Sequence, residues 1–239
     1  MEKRLKHILF LDLETVSAFD RFDKLDERLQ KEWIRKAKFI KTENNPEPDF
    51  LYKERAAIYA EFGKIVCIGL GFLYQRDEKV VLRLGSIHGD DEKQLLEDFS
   101  RLINEKFDPK KLSLCAHNGF EFDFPYLCRR MRIHGLTLPK PLEILVAAKP
   151  WENPHIDTME LWKFGDRKHY TSLDLLASIF EIGSSKSDID GSMVSKVYHE
   201  DKNLDRIVKY CIKDVEVLSR VYLKLIGSEL QIDEIDGVD

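Results

Sequence analysis

The sequence predicts an α/β domain, a mixed sheet of about five or six strands flanked by helices. Three observations point there. Short β-rich apolar runs stand at the start and in the middle of the chain. Apolar residues at three-to-four-residue spacing mark helices between and after them. The resulting order, β, insertion, β, β, α, β, α, short elements, α, suits a single layered sheet. With 239 residues and 43% hydrophobic side chains, there is material for one sizeable core.

HILFLDLE (7–14) is short, apolar and bounded by polar residues, hence a buried strand. Its basic start imitates a signal peptide, but acids at 12 and 14 break the run and no small-residue cleavage site follows. No segment approaches the length of a membrane span, so the expectation is a cytoplasmic protein without membrane association. Residues 17–62 read as an insertion. In it Leu25, Leu29, Trp33, Ala37 and Ile40 recur at helical spacing, with Lys31, Arg35, Lys36 and Lys38 on the other faces. TENNPEPDF is a break, and LYKERAAIYAEF reads as a further helical stretch.

GKIVCIGLGFLY (63–74) and KVVLRLGS (79–86), joined by QRDE, read as a hairpin. Leu95, Leu96, Phe99, Leu102 and Ile103 share one face of a helix. KLSLCAHNG is a strand entering a turn, and FPYLCRRMRIHG a helix with Pro125 in its first turn and Gly135 at its stop. PHIDTMEL reads as a short edge strand, SLDLLASIFEIG as a short helix closed by Gly183, and KSDIDGSMVSKVYHEDK as a loop. LDRIVKYCIKDVEVLSRVYLKLIG is a long helix ending at Gly227. The expected organisation is one domain over 1–227 and an acidic, frayed tail over 228–239.

The 38 basic and 43 acidic side chains leave a formal charge of −5, so no overall basic field draws in nucleic acid. Cys67, Cys115, Cys128 and Cys211 are far apart with no CxxC pair, which fits reduced buried thiols better than disulfides or a zinc site.

Three acidic stretches stand out. Asp12 and Glu14 are two apart in a strand and so share a face; the ordinary alternative is a solvated turn acid followed by a helix-start acid. Asp123 lies ahead of a Pro-initiated helix, where capping is the ordinary reading, with Asn118-Gly119 as turn chemistry. Tyr210 and Asp214 are four apart on a helix, about 5–6 Å at Cβ, beside the apolar stripe; a solvated flank is the alternative. Taken together, four carboxylates gathered without cations would repel strongly, and two divalent ions would relieve them. Oxygen donors favour Mg²⁺ or Mn²⁺ over zinc, and two such ions would offset most of the −5.

These stretches resemble the motifs of the DEDD exonucleases, 3′–5′ exonucleases on a ribonuclease-H-like fold, in their tyrosine-containing (DEDDy) subclass. Asp12-Leu13-Glu14-Thr15 matches the first motif. Asn118-Gly119-Phe120-Glu121-Phe122-Asp123-Phe124-Pro125-Tyr126-Leu127 is similar to the second motif of family B DNA polymerase proofreading domains, and Tyr210-Cys211-Ile212-Lys213-Asp214 to the third. The resemblance implies that Asp12, Glu14, Asp123 and Asp214 hold two metal ions that polarise the scissile phosphate, activate water and stabilise the leaving 3′ oxygen. It implies that Tyr210 positions that water, that Thr15 and Asn118 contact the terminal nucleotide, and that Phe120 and Phe122 are wall residues; Asp157, in HIDTMEL, reads as structural.

The long 17–62 insertion departs from the family, and the chain looks like predicted stand-alone bacterial exonucleases. The expected substrate is a single-stranded 3′ end, most readily DNA, with association with a polymerase or repair complex in view and oligomeric state left open. The alternatives are an exoribonuclease of the same subclass and an inactive nucleic-acid or protein-binding module. Three basic groups are candidates for the substrate's path: the insertion helix, Arg129/Arg130/Arg132, and Arg167/Lys168/His169.

Overall fold

The computed structural model describes residues 4–42, 46–147, 149, 152–166, 170–183 and 188–237. Six strands, β1 (Ile8–Ser17), β2 (Gly63–Arg76), β3 (Lys79–His88), β4 (Ser113–Ala116), β5 (Ile156–Asp157) and β6 (Glu234–Asp236), form one sheet in the order β5-β4-β1-β2-β3-β6. β2 runs antiparallel to both its neighbours, β1 and β3; β4 pairs parallel with β1, β5 parallel with β4, and β6 parallel with β3. The helices are α1 (Glu27–Ala37), α2 (Pro48–Arg55), α3 (Glu92–Lys106), α4 (Asp123–Ile133), α5 (Lys140–Ala147), α6 (Thr158–Lys163), α7 (Leu173–Ile179), α8 (Val194–His199) and α9 (Leu204–Leu225). The predicted mixed sheet flanked by helices is what forms.

β1 is central and covered on both faces, which is why it reads as a nearly continuous apolar run. Leu9, Leu11 and Leu13 enter the core with Phe99 and Ile103 of α3 and Leu127 and Met131 of α4. Ile8 and Phe10 enter the opposite core with Val215, Leu218 and Tyr222 of α9. Alternation along β1 therefore puts Asp12 and Glu14 on the α9 side of the sheet. β4 pairs with β1 only from Ile8 to Phe10, so β1 runs on beyond its neighbour past Asp12 and Glu14. The C-terminal ends of parallel strands are where α/β sheets receive ligands, and both acids stand at that end of β1.

The insertion packs a small core of its own. Trp33 is fully buried, lies edge-on to Tyr52 and Phe62, and donates its indole N–H to the Pro48 carbonyl at 2.6 Å. α1 starts at the Asp26 cap and carries the predicted apolar stripe; the second expected helical stretch is α2 with a 3₁₀ turn after it. The β2–β3 turn is tighter than the QRDE segment suggested. Asp77 and Glu78 alone form it, both at positive φ (49° and 68°), the backbone a two-residue hairpin requires.

Two expectations are corrected. The tail does not fray over 234–236: β6 pairs with Val81–Arg83, and Glu234 and Asp236 meet Arg76, Lys79 and Arg83. The stretch read as a loop before α9 contains α8, whose Val194 and Val197 fill a core with Val16 and Ile207.

Candidate active site

Asp12, Glu14 and the residues of α9 meet because β2 carries glycines where α9 crosses it. Gly69 is the register partner of Asp12, and Gly71 that of Phe10. A Cβ on Gly69 would stand 2.8 Å from Cys211 Sγ and 2.9 Å from Val215, and one on Gly71 2.7 Å from Val215. Without those methyl groups α9 settles directly on the sheet, with Tyr210, Cys211 and Asp214 turned towards the end of β1. A β-bulge marks the same place. Glu14 pairs with Cys67 but Thr15 with Ile65, so Val66 is the extra residue and the strand is re-aimed next to the acids.

The bulge is pinned from below. Glu92, the first residue of α3, accepts the Ile65 N–H at 2.7 Å and pairs with the Arg130 guanidinium, Nε at 2.8 Å; Arg130 also donates to the Ala60 carbonyl, and His134 Nε2 lies 2.7 Å from Glu92. Burial alone would raise the Glu92 pKa, but Arg130, the Ile65 N–H and His134 together hold it below the usual carboxylate value. This removes Arg130 from the basic groups proposed to touch phosphate, because the side chain is buried and spent on Glu92. Arg129 and Arg132 are exposed; Arg167, Lys168 and His169 lie outside the described residues.

Asp123 is not the N-cap of α4. Phe122 occupies that position, and Asp123 is the first helical residue, with Oδ1 accepting the Leu13 N–H at 3.2 Å. That N–H lies beyond the end of the β1–β4 pairing, so the carboxylate takes the place of the missing strand. Asp157 organises the loop in front of it, accepting N–H groups of Asn118 and Phe120 as well as of Met159 and Glu160 in α6. Asn118 is at φ 60°, and a Cβ on Gly119 would stand 2.6 Å from Ala116, so this Asn-Gly turn admits no larger second residue. Asn118 Oδ1 is buried with no hydrogen-bond partner among the described residues, an acceptor left for something else. Thr15 is buried and its hydroxyl is engaged with the Tyr126 phenol.

The donor atoms of Asp12, Glu14 and Cys211 lie within 4.8 Å of one another. Asp123 and Asp214 stand a step back, near enough for their charges to act on Asp12. Burial, then Asp214, then Asp123 raise the Asp12 pKa well above the ordinary value; burial, then Asp12 and Asp214, do the same to Glu14. Burial lifts Asp123 to about 7. The Tyr210 phenol, hydrogen-bonded to Asp214, is pushed far above its usual range by burial and by Asp214, Glu14 and Asp12, so it is a fixed proton donor. Among the described residues no ion pair reaches Asp12, Glu14 or Asp123. The carboxylate oxygens of Asp12, Glu14 and Asp123, short of positive charge, fit a hard dication, and the Cys211 thiol stands beside them. All five residues expected to do chemistry are thus brought to one cluster at the end of β1. Sequence reasoning passed over two neighbours: Gly69, signalled by the period-two glycines in IGLGF, and Cys211, read only as a buried thiol.

The chain is similar to archaeal DNA polymerases. It is 24% identical over 214 residues to DNA polymerase 1 of Pyrococcus abyssi, covering 82% of this chain and 27% of that protein. For the DNA polymerase of Pyrococcus horikoshii the identity is again 24% over 214 residues, covering 82% and 17%. The chain therefore spans about a quarter or less of the length of these relatives. The structure of the family B DNA polymerase of Pyrobaculum calidifontis superimposes with a TM-score of 0.58 at 15% identity, over 92% of this chain and 24% of that one. The likeness shows the fold, a ribonuclease-H-like mixed sheet flanked by helices. A family described as "Predicted 3'-5' exonuclease related to the exonuclease domain of PolB" matches residues 58–236, a span that includes Asp123, Tyr210 and Asp214 and begins after Asp12 and Glu14. With three quarters of its length matched, this chain belongs to that family of predicted exonucleases.

Proposed function

We propose that this chain releases nucleotides from the 3′ end of single-stranded DNA with two divalent ions, Mg²⁺ or Mn²⁺, held by Asp12, Glu14, Asp123 and Asp214. The observation that carries the reading is the gathering of carboxylates at the end of β1, where burial raises the proton affinity of Asp12, Glu14 and Asp123 and neighbouring acids raise it further. When bound, such ions supply Lewis-acid activation of the phosphodiester and of water. Tyr210 remains protonated at neutral pH and orients a water molecule through its hydroxyl. The orphan Asn118 Oδ1 takes a donor of the terminal nucleotide, while Thr15, tied to Tyr126, shapes the floor. Tyr170 is exposed, and its phenol is near enough to Asp123 to feel its charge, which puts an aromatic ring at the rim for the terminal base. The polymerase relatives support DNA over RNA and work beside a polymerase or repair complex; the free thiols suit the cytoplasm.

The test is release of mononucleotides from 3′- and 5′-labelled single-stranded DNA and RNA with Mg²⁺, Mn²⁺ or chelator. Activity unaffected by chelator, or equal in wild type and Asp214→Ala, overturns the proposal, and faster cleavage of RNA transfers it to an exoribonuclease. Tyr210→Phe is expected to lower kcat by about 10–100-fold with KM nearly unchanged, the mark of a group that acts in the transition state. A changed KM with unchanged kcat would assign Tyr210 to substrate binding.

The insertion leaves the sheet at the end of β1 that carries the acids, and Lys31, Arg35 and Lys38 are exposed on and just after α1. Replacing all three with Gln should weaken single-strand binding and reduce the slope of log K against log salt by about 2. An unchanged slope would place the strand elsewhere.

A further inference from the structure

Cys211 has no part in the hydrolysis just proposed, yet its sulfur lies among the residues that do. It is one turn before Asp214 on α9, and its Sγ is 3.5 Å from Asp12 Oδ2 and 3.5 Å from the Asp12 carbonyl oxygen. Glu14 completes a group whose three donor atoms all fall within 4.8 Å. Packing fixes the sulfur: the bare Gly69 opposite Asp12 is what admits it, and Cys211 is fully buried.

The spacing carries chemical information. A tetrahedral ion with a metal–sulfur bond of about 2.3 Å and metal–oxygen bonds of about 2.0–2.2 Å holds sulfur and oxygen about 3.5–3.7 Å apart. A hard octahedral ion with bonds of about 2.0–2.1 Å brings adjacent oxygens to about 2.9 Å. The 3.5 Å from Cys211 Sγ to Asp12 Oδ2, an S–H···O hydrogen bond as it stands, is also the sulfur–oxygen distance of the first kind, so the thiol can exchange its proton for such an ion with little movement.

We propose that Asp12, Glu14 and Cys211 form a site for a thiophilic dication, Zn²⁺ or Cd²⁺, that excludes the hard ions and so inhibits the enzyme. Three protein donors and one solvent position complete four-coordination. As the metal–sulfur bond forms, the S–H bond breaks and the proton passes to solvent; no electrons are transferred, and a chelator reverses the event. Because the ion takes Asp12 and Glu14, it competes with Mg²⁺ rather than with nucleic acid. Only the inhibitory consequence rests on the exonuclease reading; the binding does not.

The experiment uses the full chain and Cd²⁺, without nucleic acid, and follows the ultraviolet sulfur-to-cadmium charge-transfer band during titration, comparing wild type with Cys211→Ser, Cys211→Ala and Cys128→Ser. Wild type and Cys128→Ser should show one equivalent of the band, and both Cys211 variants should lose it. In a Mg²⁺-dependent nuclease assay, each variant scored against its own uninhibited rate, the Cys211 variants should need at least about tenfold more Cd²⁺ for half inhibition. A band that survives in the Cys211 variants, or equal inhibition with and without the thiol, overturns the proposal. A wild-type chain that shows the Cys211-dependent band but cleaves nothing with Mg²⁺ or Mn²⁺ upholds the site and sinks the exonuclease reading instead.

Discussion

Asp12→Asn is expected to slow 3′ nucleotide release about a thousandfold, about 4 kcal/mol of transition-state stabilisation, while making the chelated protein more stable than wild type. Both effects have one cause. Asp12 is held against Asp214 and Asp123 in a place where burial already disfavours its charge. An ion turns that repulsion into affinity, and without an ion it is a cost of folding. The amide keeps the shape and removes the charge, so the metal-free chain should melt a few degrees higher.

The pH dependence has a definite sign. For Asp12, Glu14 and Asp123 the folded pKa lies above the unfolded value, so the folded chain binds more protons. Their effect is harmless below about pH 4, the unfolded value, and stability falls as pH rises through the folded values, about 7 for Asp123. Bound metal removes this loss. The difference in Tm between Mn²⁺-loaded and chelated protein should therefore widen from pH 5 to pH 8 in wild type and widen less in Asp12→Asn. An Asp12→Asn variant that keeps full activity, or melts lower in chelator, would show that these carboxylates are not strained against one another.

Arg130→Ala should be strongly destabilising, costing about 3–5 kcal/mol. The Arg130 and Glu92 side chains are 10% and 4% exposed, so removing one partner strands the other away from water. The Ala60 carbonyl and the Ile65 N–H depend on the same pair. Because the bulge beside Glu14 hangs on Ile65, the variant should lose activity at temperatures where it is still folded. The Glu92 pKa is held below its ordinary value, so the pair's contribution is present above about pH 4 and fades as acid protonates Glu92. Replacing both residues, Glu92→Gln with Arg130→Met, should recover much of the loss, since no charge is left buried alone. Denaturant unfolding of the two variants decides it: a loss below about 1 kcal/mol for Arg130→Ala would mean that the guanidinium merely fills space.

Much of this was legible because strand and helix periods are short-range rules. Alternation along HILFLDLE put Asp12 and Glu14 on one face, and helical spacing put Tyr210 beside Asp214. The order of strands around β1, which face α9 would cover, and the step by which Asp123 takes over from β4 depend on contacts across more than a hundred residues, which no local pattern encodes. Arg130 misled for the same reason: a cation on a helix flank looks solvated until the partner, Glu92, arrives from another element. The tail misled because an acidic segment is frayed only where nothing basic awaits it, and β3 presents Arg83 at its edge with Arg76 and Lys79 at the hairpin.

The sheet ends in very short strands, two residues in β5 and three in β6, while β3 runs for ten. Shortening the chain by its last ten residues would leave the amides and carbonyls of Val80–Arg83 on the β3 edge unanswered, beside arginine and lysine, an invitation to strand exchange between molecules. A trimmed version prepared for crystallisation should cluster as salt screens the mutual repulsion of those cations, whereas the intact chain carries its own stopper.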